Sequence, residues 1–323
     1  MKFYTKVLGV LLIASCMMCS WSFCSCVNED SIVSSDKLYG ANIVECGATK
    51  QYSQQDSIVK LPIIMYHSIS NNAPNKYNVT PVQLRRDFEY ILQQGWNPIF
   101  LSQVVDYVER DVALPNKPIA ITFDDGYSNN YINILPLIQQ YNVKVILSIV
   151  GEFTDQHQDL TIKQPANSHM NHIQLKTMLD SNLVELASHT YAMHNIRGIN
   201  GRKGIRRLKG EDDSQYKRVL QQDDAKLVES WARLGVRPCV FTFPFGVYND
   251  VAKDCLRECG YKIALTCTHN INIINQDTDL MQLNRFNRPS GPSSKEYFCA
   301  IQELYDIGKD KNIRHVLKHY WWR

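Results

Sequence analysis

Pro118-Ile119-Ala120-Ile121-Thr122-Phe123-Asp124-Asp125-Gly126-Tyr127 is the stretch on which the fold turns. An unbroken, mainly apolar run gives way at once to two adjacent carboxylates and a glycine. A run of that kind suits a strand buried on both faces. The abrupt change sets reactive groups at the strand's C-terminal end, where glycine lets the chain turn tightly.

Working outward, the same grammar repeats. Lys60 to Tyr66 reads as an earlier buried strand. Thr80, Pro81 and Gln83 open a helix with an N-cap, a proline at its first position and a capping box, and Gly95 stops it. A helical stretch follows the Asp-Asp turn to about Gln140. Val143 to Val150 is a β-branched strand, His172 to Leu179 a helix, and Leu183 to Ala187 extended. A long helix runs from about Tyr216 to Leu234, ended by Gly235. Then come a strand at Cys239–Phe243, a helix at Asp250–Glu258, a strand at Lys262–Thr268 and a last strand at Leu280–Phe286. Ser293 and Glu296 form a capping box for a final helix to about Leu304. Alternation of this kind predicts an α/β fold with a mainly parallel sheet of about seven strands. If the sheet closes into a barrel, the chemistry belongs at the C-terminal ends of the strands.

Polar clusters do follow the apolar runs. Asp124 and Asp125 would repel each other unless a cation relieved them, so one suits a metal ligand and the other a base. Alone, Asp-Asp-Gly is as readily a loop that caps the next helix. His189 and His194 follow the strand ending at Ala187, and neutral imidazole is the commonest metal-ligand side chain. Their i, i+5 spacing turns through about 140° on a helix, so a loop must bring the rings together. Thr242-Phe243-Pro244-Phe245-Gly246, His67 and Arg285 also sit at predicted strand ends, and each alone is adequately explained as structural.

The chain has 323 residues, 44% hydrophobic and 21% charged, with a formal net charge of +3. That balance, with no long basic run interleaved with aromatics, excludes nucleic acid as a partner. Lys2 and Lys6 precede the apolar run from Val7 to Ala14, and no charge recurs before Glu29. This is the pattern of a secretory leader, so an exported protein is expected. Ile13-Ala14-Ser15-Cys16 resembles a bacterial lipobox, Cys26 is a second site for lipidation, and an uncleaved anchor is the alternative. Residues 1–26 are therefore read as leader or anchor, 27–58 as a polar spacer, 59–305 as the enzyme domain and 306–323 as a basic aromatic tail. Cys255 and Cys259 stand one helical turn apart and, without a CxxC companion, read as buried thiols.

Taken together, Thr122-Phe123-Asp124-Asp125-Gly126, the two histidines, the Phe-Pro-Phe-Gly segment and Leu61-Pro62-Ile63-Ile64-Met65-Tyr66-His67-Ser68 resemble the polysaccharide deacetylases of carbohydrate esterase family 4, the NodB-homology domain. The resemblance spans roughly residues 59–305. It implies a distorted (β/α) barrel and a divalent metal, Zn²⁺ first with Co²⁺ or Ni²⁺ as alternatives, held by Asp125, His189 and His194. It also implies Asp124 as base and the Phe245 N–H as oxyanion donor. Histidines five apart, rather than the family's usual four, resemble the branch acting on poly-N-acetylglucosamine. The family's third motif has arginine and tyrosine where this chain has Thr242 and Phe245. Since the missing arginine positions the catalytic aspartate, Arg285 is the candidate for that task. His67 is the candidate acid, because the usual late histidine motif is not evident.

The expected reaction is hydrolysis of N-acetyl groups on a cell-surface or extracellular N-acetylglucosamine polymer, by an exported monomer either tethered to a membrane through its N-terminus or free in the extracellular or periplasmic space. The competing readings are a peptidoglycan or chitooligosaccharide deacetylase, an O-acetyl esterase, and a non-catalytic glycan-binding protein on the same scaffold. A closed structural metal site would need a fourth ligand, for which Cys267, His169 and His172 are available. The stretch 197–213, with four Arg and two Lys, reads as a solvated loop rather than a glycan path.

Overall fold

The computed structural model describes residues 58–72, 75–157, 168–198 and 201–307. The leader, nearly all of the spacer and the aromatic tail beyond Ile307 lie outside the described residues. Among those described, no helix is long and apolar enough to cross a membrane.

Seven strands make the main sheet: β1 (Ile63–Tyr66), β2 (Pro118–Phe123), β3 (Val145–Ile149), β4 (Val184–Ser188), β5 (Val240–Thr242), β6 (Ile263–Leu265) and β7 (Phe286–Asn287). Their order is β6-β5-β4-β3-β2-β1-β7, and every pairing is parallel. Asn97–Pro98 adds a short parallel strand beside the start of β2. The register aligns Tyr66 with Phe123, and Ile149 with Ser188, so the C-terminal ends of these strands share one rim. All residues of β2 and of β3 are buried. Alternate side chains go to opposite faces, as the period of two requires. Ile119, Ile121 and Phe123 join one apolar cluster, and Ala120 and Ile146 join another.

Among the described residues eight helices accompany the strands: α1 (Pro81–Gln93), α2 (Leu101–Arg110), α3 (Ser128–Tyr141), α4 (Gly151–Gln156), α5 (His172–Asp180), α6 (Asp213–Trp231), α7 (Asp250–Glu258) and α8 (Ser294–Ile307). The first cluster takes Phe88 of α1, Ile138 of α3, Leu175 of α5 and Ile301 of α8. The second takes Leu101, Val104 and Tyr107 of α2. Burying one such aliphatic or aromatic side chain is worth roughly 1.5–3 kcal/mol, so these faces fix the layers.

The predicted strand at Leu280–Phe286 is not a single strand. Leu280–Gln282 is a 3₁₀ turn and only Phe286–Asn287 pairs along β1. The segment between them serves both edges of the sheet. The Leu283 N–H donates to Ala264 O (2.8 Å), Thr266 N–H to Leu283 O (2.8 Å) and Arg285 N–H to Thr268 O (2.9 Å), all beyond or within β6. From the very next residue, Phe286, the chain lies against β1, so the sheet curls into a distorted (β/α) barrel.

Two further expectations change, while the second capping box and the free-thiol reading hold. Thr80 caps α1 by accepting from Gln83 N–H (3.1 Å), but the Gln83 amide donates to Ser290 O and Pro292 O, so only half of the capping box forms. The box at Ser293 and Glu296 is complete. The stretch from Arg202 to Asp213 is a folded loop rather than a solvated one. Arg202 is 8% exposed and pairs with Glu211, and Arg207 pairs with Asp213 (2.6 Å), so opposite charges within the stretch neutralise one another. Cys255 and Cys259, at the end of α7, are free thiols.

Candidate active site

The turn after β2 is built from two consecutive left-handed residues, Asp125 (φ +69°) and Gly126 (φ +74°). An aspartate there stores roughly 1–3 kcal/mol of strain, which its surroundings must outweigh. Asp124 N–H donates to Tyr66 O (2.9 Å) and Met170 N–H to Gly126 O (2.8 Å). The Tyr127 hydroxyl hydrogen-bonds the Asp125 carboxylate. A Cβ on Gly126 would meet Ile149 Cδ1 at 2.9 Å, so only glycine brings the turn this close to β3.

Asp124 is 2% exposed and Arg285 fully buried, and the two form a bidentate pair (Nη1–Oδ1 2.7 Å, Nη2–Oδ2 2.9 Å). The remaining guanidinium donors reach Thr266 O (2.8 Å) and Thr122 Oγ1 (3.2 Å). Thr242 carries no such charge, and its hydroxyl meets that of Ser148 at 2.8 Å. The arginine thus comes from the segment that closes the barrel rather than from the strand end at Thr242. Burial works to raise the Asp124 pKa, but Arg285, then His189, outweigh it and hold the carboxyl well below the usual carboxylate range.

His189 and His194 are brought together across a turn with their rings 4.5 Å apart. Their Nε2 atoms lie 3.6 and 3.4 Å from the same oxygen, Asp125 Oδ1. One donor atom from each of the three residues lies within 4.8 Å of the others. Burial pushes His189 down to about 3, with His194 adding to the effect, and burial likewise lowers His194. The imidazoles are therefore neutral near pH 7, and the contacts to Asp125 are not ion pairs. The Thr242 carbonyl lies 2.8 Å from His189 Nδ1, so Nδ1 carries the proton and Nε2 presents its lone pair to Asp125. Two neutral nitrogens and one carboxylate, oriented by a second layer of hydrogen bonds, fit a divalent cation. Among the described residues, Cys267, His169 and His172 do not join this group. His172 Nε2 instead contacts Ser230, whose hydroxyl donates to Asp155.

The other predicted residues lie around this centre. His67 follows β1. Burial lowers its pKa, while Asp124 and Asp125 act to raise it, which places its ring in their field. Among the described residues its Nδ1 is buried without a partner, and Tyr77 packs edge-on against the ring at 4.8 Å. Phe245 occupies a 3₁₀ turn in the left-handed region (φ +59°), with its ring 4.7 Å from that of His194. Among the described residues no main-chain acceptor takes the Phe245 N–H. An open cleft of about 580 Å³ lies beside Phe245 and His194, lined also by Asn195, Ile196 and Arg197.

Sequence reasoning passed over three residues that shape the site. Tyr127 follows the Asp-Asp-Gly turn directly, and its position was the available signal. The Thr242 carbonyl, on His189 Nδ1, and the Asp223 carboxylate, which accepts from the Tyr191 and Ala192 N–H groups of the turn before His194, act through tertiary contacts, for which no local signal exists.

Residues 111–264 match the family model for polysaccharide deacetylase. Over 259 residues the chain is 25% identical to the poly-β-1,6-N-acetyl-D-glucosamine N-deacetylase of Escherichia coli K12, covering 74% of this chain and 38% of that protein. The chain thus spans well under half the length of that relative. Two solved structures share the fold. A de-N-acetylase from Aggregatibacter actinomycetemcomitans superposes with a TM-score of 0.63 at 24% identity, covering 76% of this chain and all of that one. The deacetylase domain of BpsB from Bordetella bronchiseptica superposes with a TM-score of 0.58 at 27% identity, covering 70% and 94%. The matched stretch holds both carboxylates, both histidines and the Phe245 turn, and over it the chain is similar to the polysaccharide deacetylases.

Proposed function

We propose that this chain hydrolyses N-acetyl groups on an extracellular or cell-surface N-acetylglucosamine polymer, releasing acetate and leaving a free amine. One observation carries the reading: a three-donor metal site, Asp125, His189 and His194, lies beside a carboxylate, Asp124, that Arg285 keeps anionic and that is not one of the donors. A protein that only bound sugar would need no such base. The matching E. coli protein supports the choice of polymer.

A divalent cation in the site, Zn²⁺ by ligand type, would supply Lewis acidity to the acetyl carbonyl and to water. Asp124 takes the proton from the attacking water, and its pairing with Arg285 fixes both its charge and its aim. As a C–O bond forms at the acetyl carbon, the Phe245 N–H donates to the oxygen that gains charge. His67 delivers a proton to the nitrogen as the C–N bond breaks, because an unprotonated amine anion is too poor a leaving group. The neighbouring carboxylates favour the charged ring that this step requires, and burial opposes it. The basic-then-apolar leader supports export and an N-terminal membrane anchor.

Acetate release from N-acetylglucosamine oligomers tests the reading, using the full chain with Zn²⁺, with EDTA, and as Asp124→Asn. EDTA should abolish turnover. Loss of the base should lower the rate by about 10²–10⁴-fold while the metal stays bound. A chain that holds one tight divalent ion yet releases no acetate would instead be a binding protein.

A further inference from the structure

The turn that carries His189 and His194 is held in an unfavourable conformation by groups outside it. Thr190 has φ +73°, a region that a β-branched residue rarely enters. Two consecutive N–H groups in the turn, those of Tyr191 and Ala192, both donate to one side chain on α6: Tyr191 N to Asp223 Oδ2 at 2.7 Å, and Ala192 N to Asp223 Oδ1 at 2.9 Å. The carbonyls are taken from the other side, by Gly151 N (3.1 Å, to Thr190 O) and Glu152 N (2.8 Å, to Tyr191 O) at the start of α4. The approach of α4 depends on Gly151, where a Cβ would meet Tyr191 Cδ2 at 2.8 Å. On the α6 side Met193 packs against the cluster holding Tyr216 and Leu220, and a cavity of about 840 Å³ adjoins the turn, lined among others by Ala192, Met193, Asn195 and Asp223.

We infer that Asp223 is a positioning residue for the metal centre: its carboxylate bridges the two N–H groups midway between the histidines and holds the five-residue spacing in the shape that aims both rings at Asp125. The inference rests on Asp125, His189 and His194 being the ligands. A relaxed Thr190 would move the rings apart, and the fraction of chains competent to bind would fall. Apparent affinity falls by the same factor.

The test is Zn²⁺ affinity of the full chain, measured by competition with a chromophoric chelator. Asp223→Ala should weaken binding about ten- to hundredfold, the usual range for lost second-layer support. Asp223→Asn keeps one acceptor oxygen and should fall between it and the native protein. Ile301→Ala, a core lesion in α8, should lower the melting temperature and leave Zn²⁺ affinity within about twofold of the native value. If Asp223→Ala does not fold, Asp223→Asn carries the test, and affinity within twofold of native in the variant tested overturns the inference. A native chain that takes up no Zn²⁺ refutes the metal-site reading and this inference with it. A chain that binds Zn²⁺ equally well with and without the Asp223 carboxylate refutes only the latter.

Discussion

Replacing Arg285 with methionine should destabilise the metal-free protein by about 3–5 kcal/mol at pH 7, the usual result of stripping one partner from a buried ion pair. The geometry explains the size. The guanidinium is fully buried and makes two charge-assisted bonds to Asp124, at 2.7 and 2.9 Å. Bonds of that type contribute about 1.5–3 kcal/mol each, so together they account for the loss. Methionine also leaves Thr266 O without its donor, a further deficit that the double variant shares. Asp124→Asn should destabilise by a comparable amount, because it strands the arginine. The Asp124→Asn/Arg285→Met pair, with neither charge, should be far less unstable than the sum of the single changes. The cycle is measured by urea unfolding in EDTA, and the coupling should reach about 3 kcal/mol or more. A coupling below about 1 kcal/mol would mean that the two charges do not depend on each other, and Asp124 would lose its physical basis as an anionic base.

Three other outcomes follow from the same geometry. His189 is held neutral, with its pKa near 3 when folded against an ordinary value of 6.5, so its stabilising contribution is complete above pH 6.5 and is lost as pH falls towards 3. In urea unfolding of the metal-free protein, His189→Asn should therefore lose about 2 kcal/mol less than the native chain between pH 7 and pH 5. Asp223, pushed up to about 6 by burial, shifts in the opposite sense but is common to both proteins. Gly126→Ala forces a side chain into φ +74° and against Ile149, and should lower stability by about 1–3 kcal/mol in the same assay. Zn²⁺ at a hundred times its dissociation constant should stabilise the native chain by about 2.7 kcal/mol in a thermal melt, and Asp125→Asn should remove most of that gain.

Much of the fold was legible because its signals are local. Continuous burial in β2 and β3 and the glycine stops at Gly95 and Gly235 are written in adjacent residues. What could not be read there depends on distant partners. At the start of α2 the Phe100 side chain caps nothing, although Gln103 Oε1 accepts the Phe100 N–H (3.1 Å). The first N–H groups of the helix, on Leu101 and Ser102, donate to Glu185, which arrives from β4 at 2.9 and 3.1 Å. Sequence rules that look for Ser, Thr, Asp or Asn before a helix have nothing to find at Phe100. The segment at Leu280–Phe286 misled for a related reason. Its apolar residues are buried as a strand's would be, but they answer first to β6 and then to β1, and one period cannot describe both.

The site divides along the same line, and the division bears on how it works. Asp124, Asp125, His189, His194 and Phe245 announce themselves by lying just past apolar runs. The groups that determine their charge and aim come from elsewhere: Arg285 from the barrel closure, the Thr242 carbonyl from β5, Asp223 from α6 and the first N–H groups of α4. Asp125, Thr190 and Phe245 all lie in the left-handed region. Each would relax in isolation, so the reactive geometry exists only while the surrounding elements are in place. The strain therefore links the site to the fold. A lesion that loosens α4 or α6 should show itself as weaker metal binding before the protein unfolds, and the strand ends alone could not reproduce the site in a different barrel.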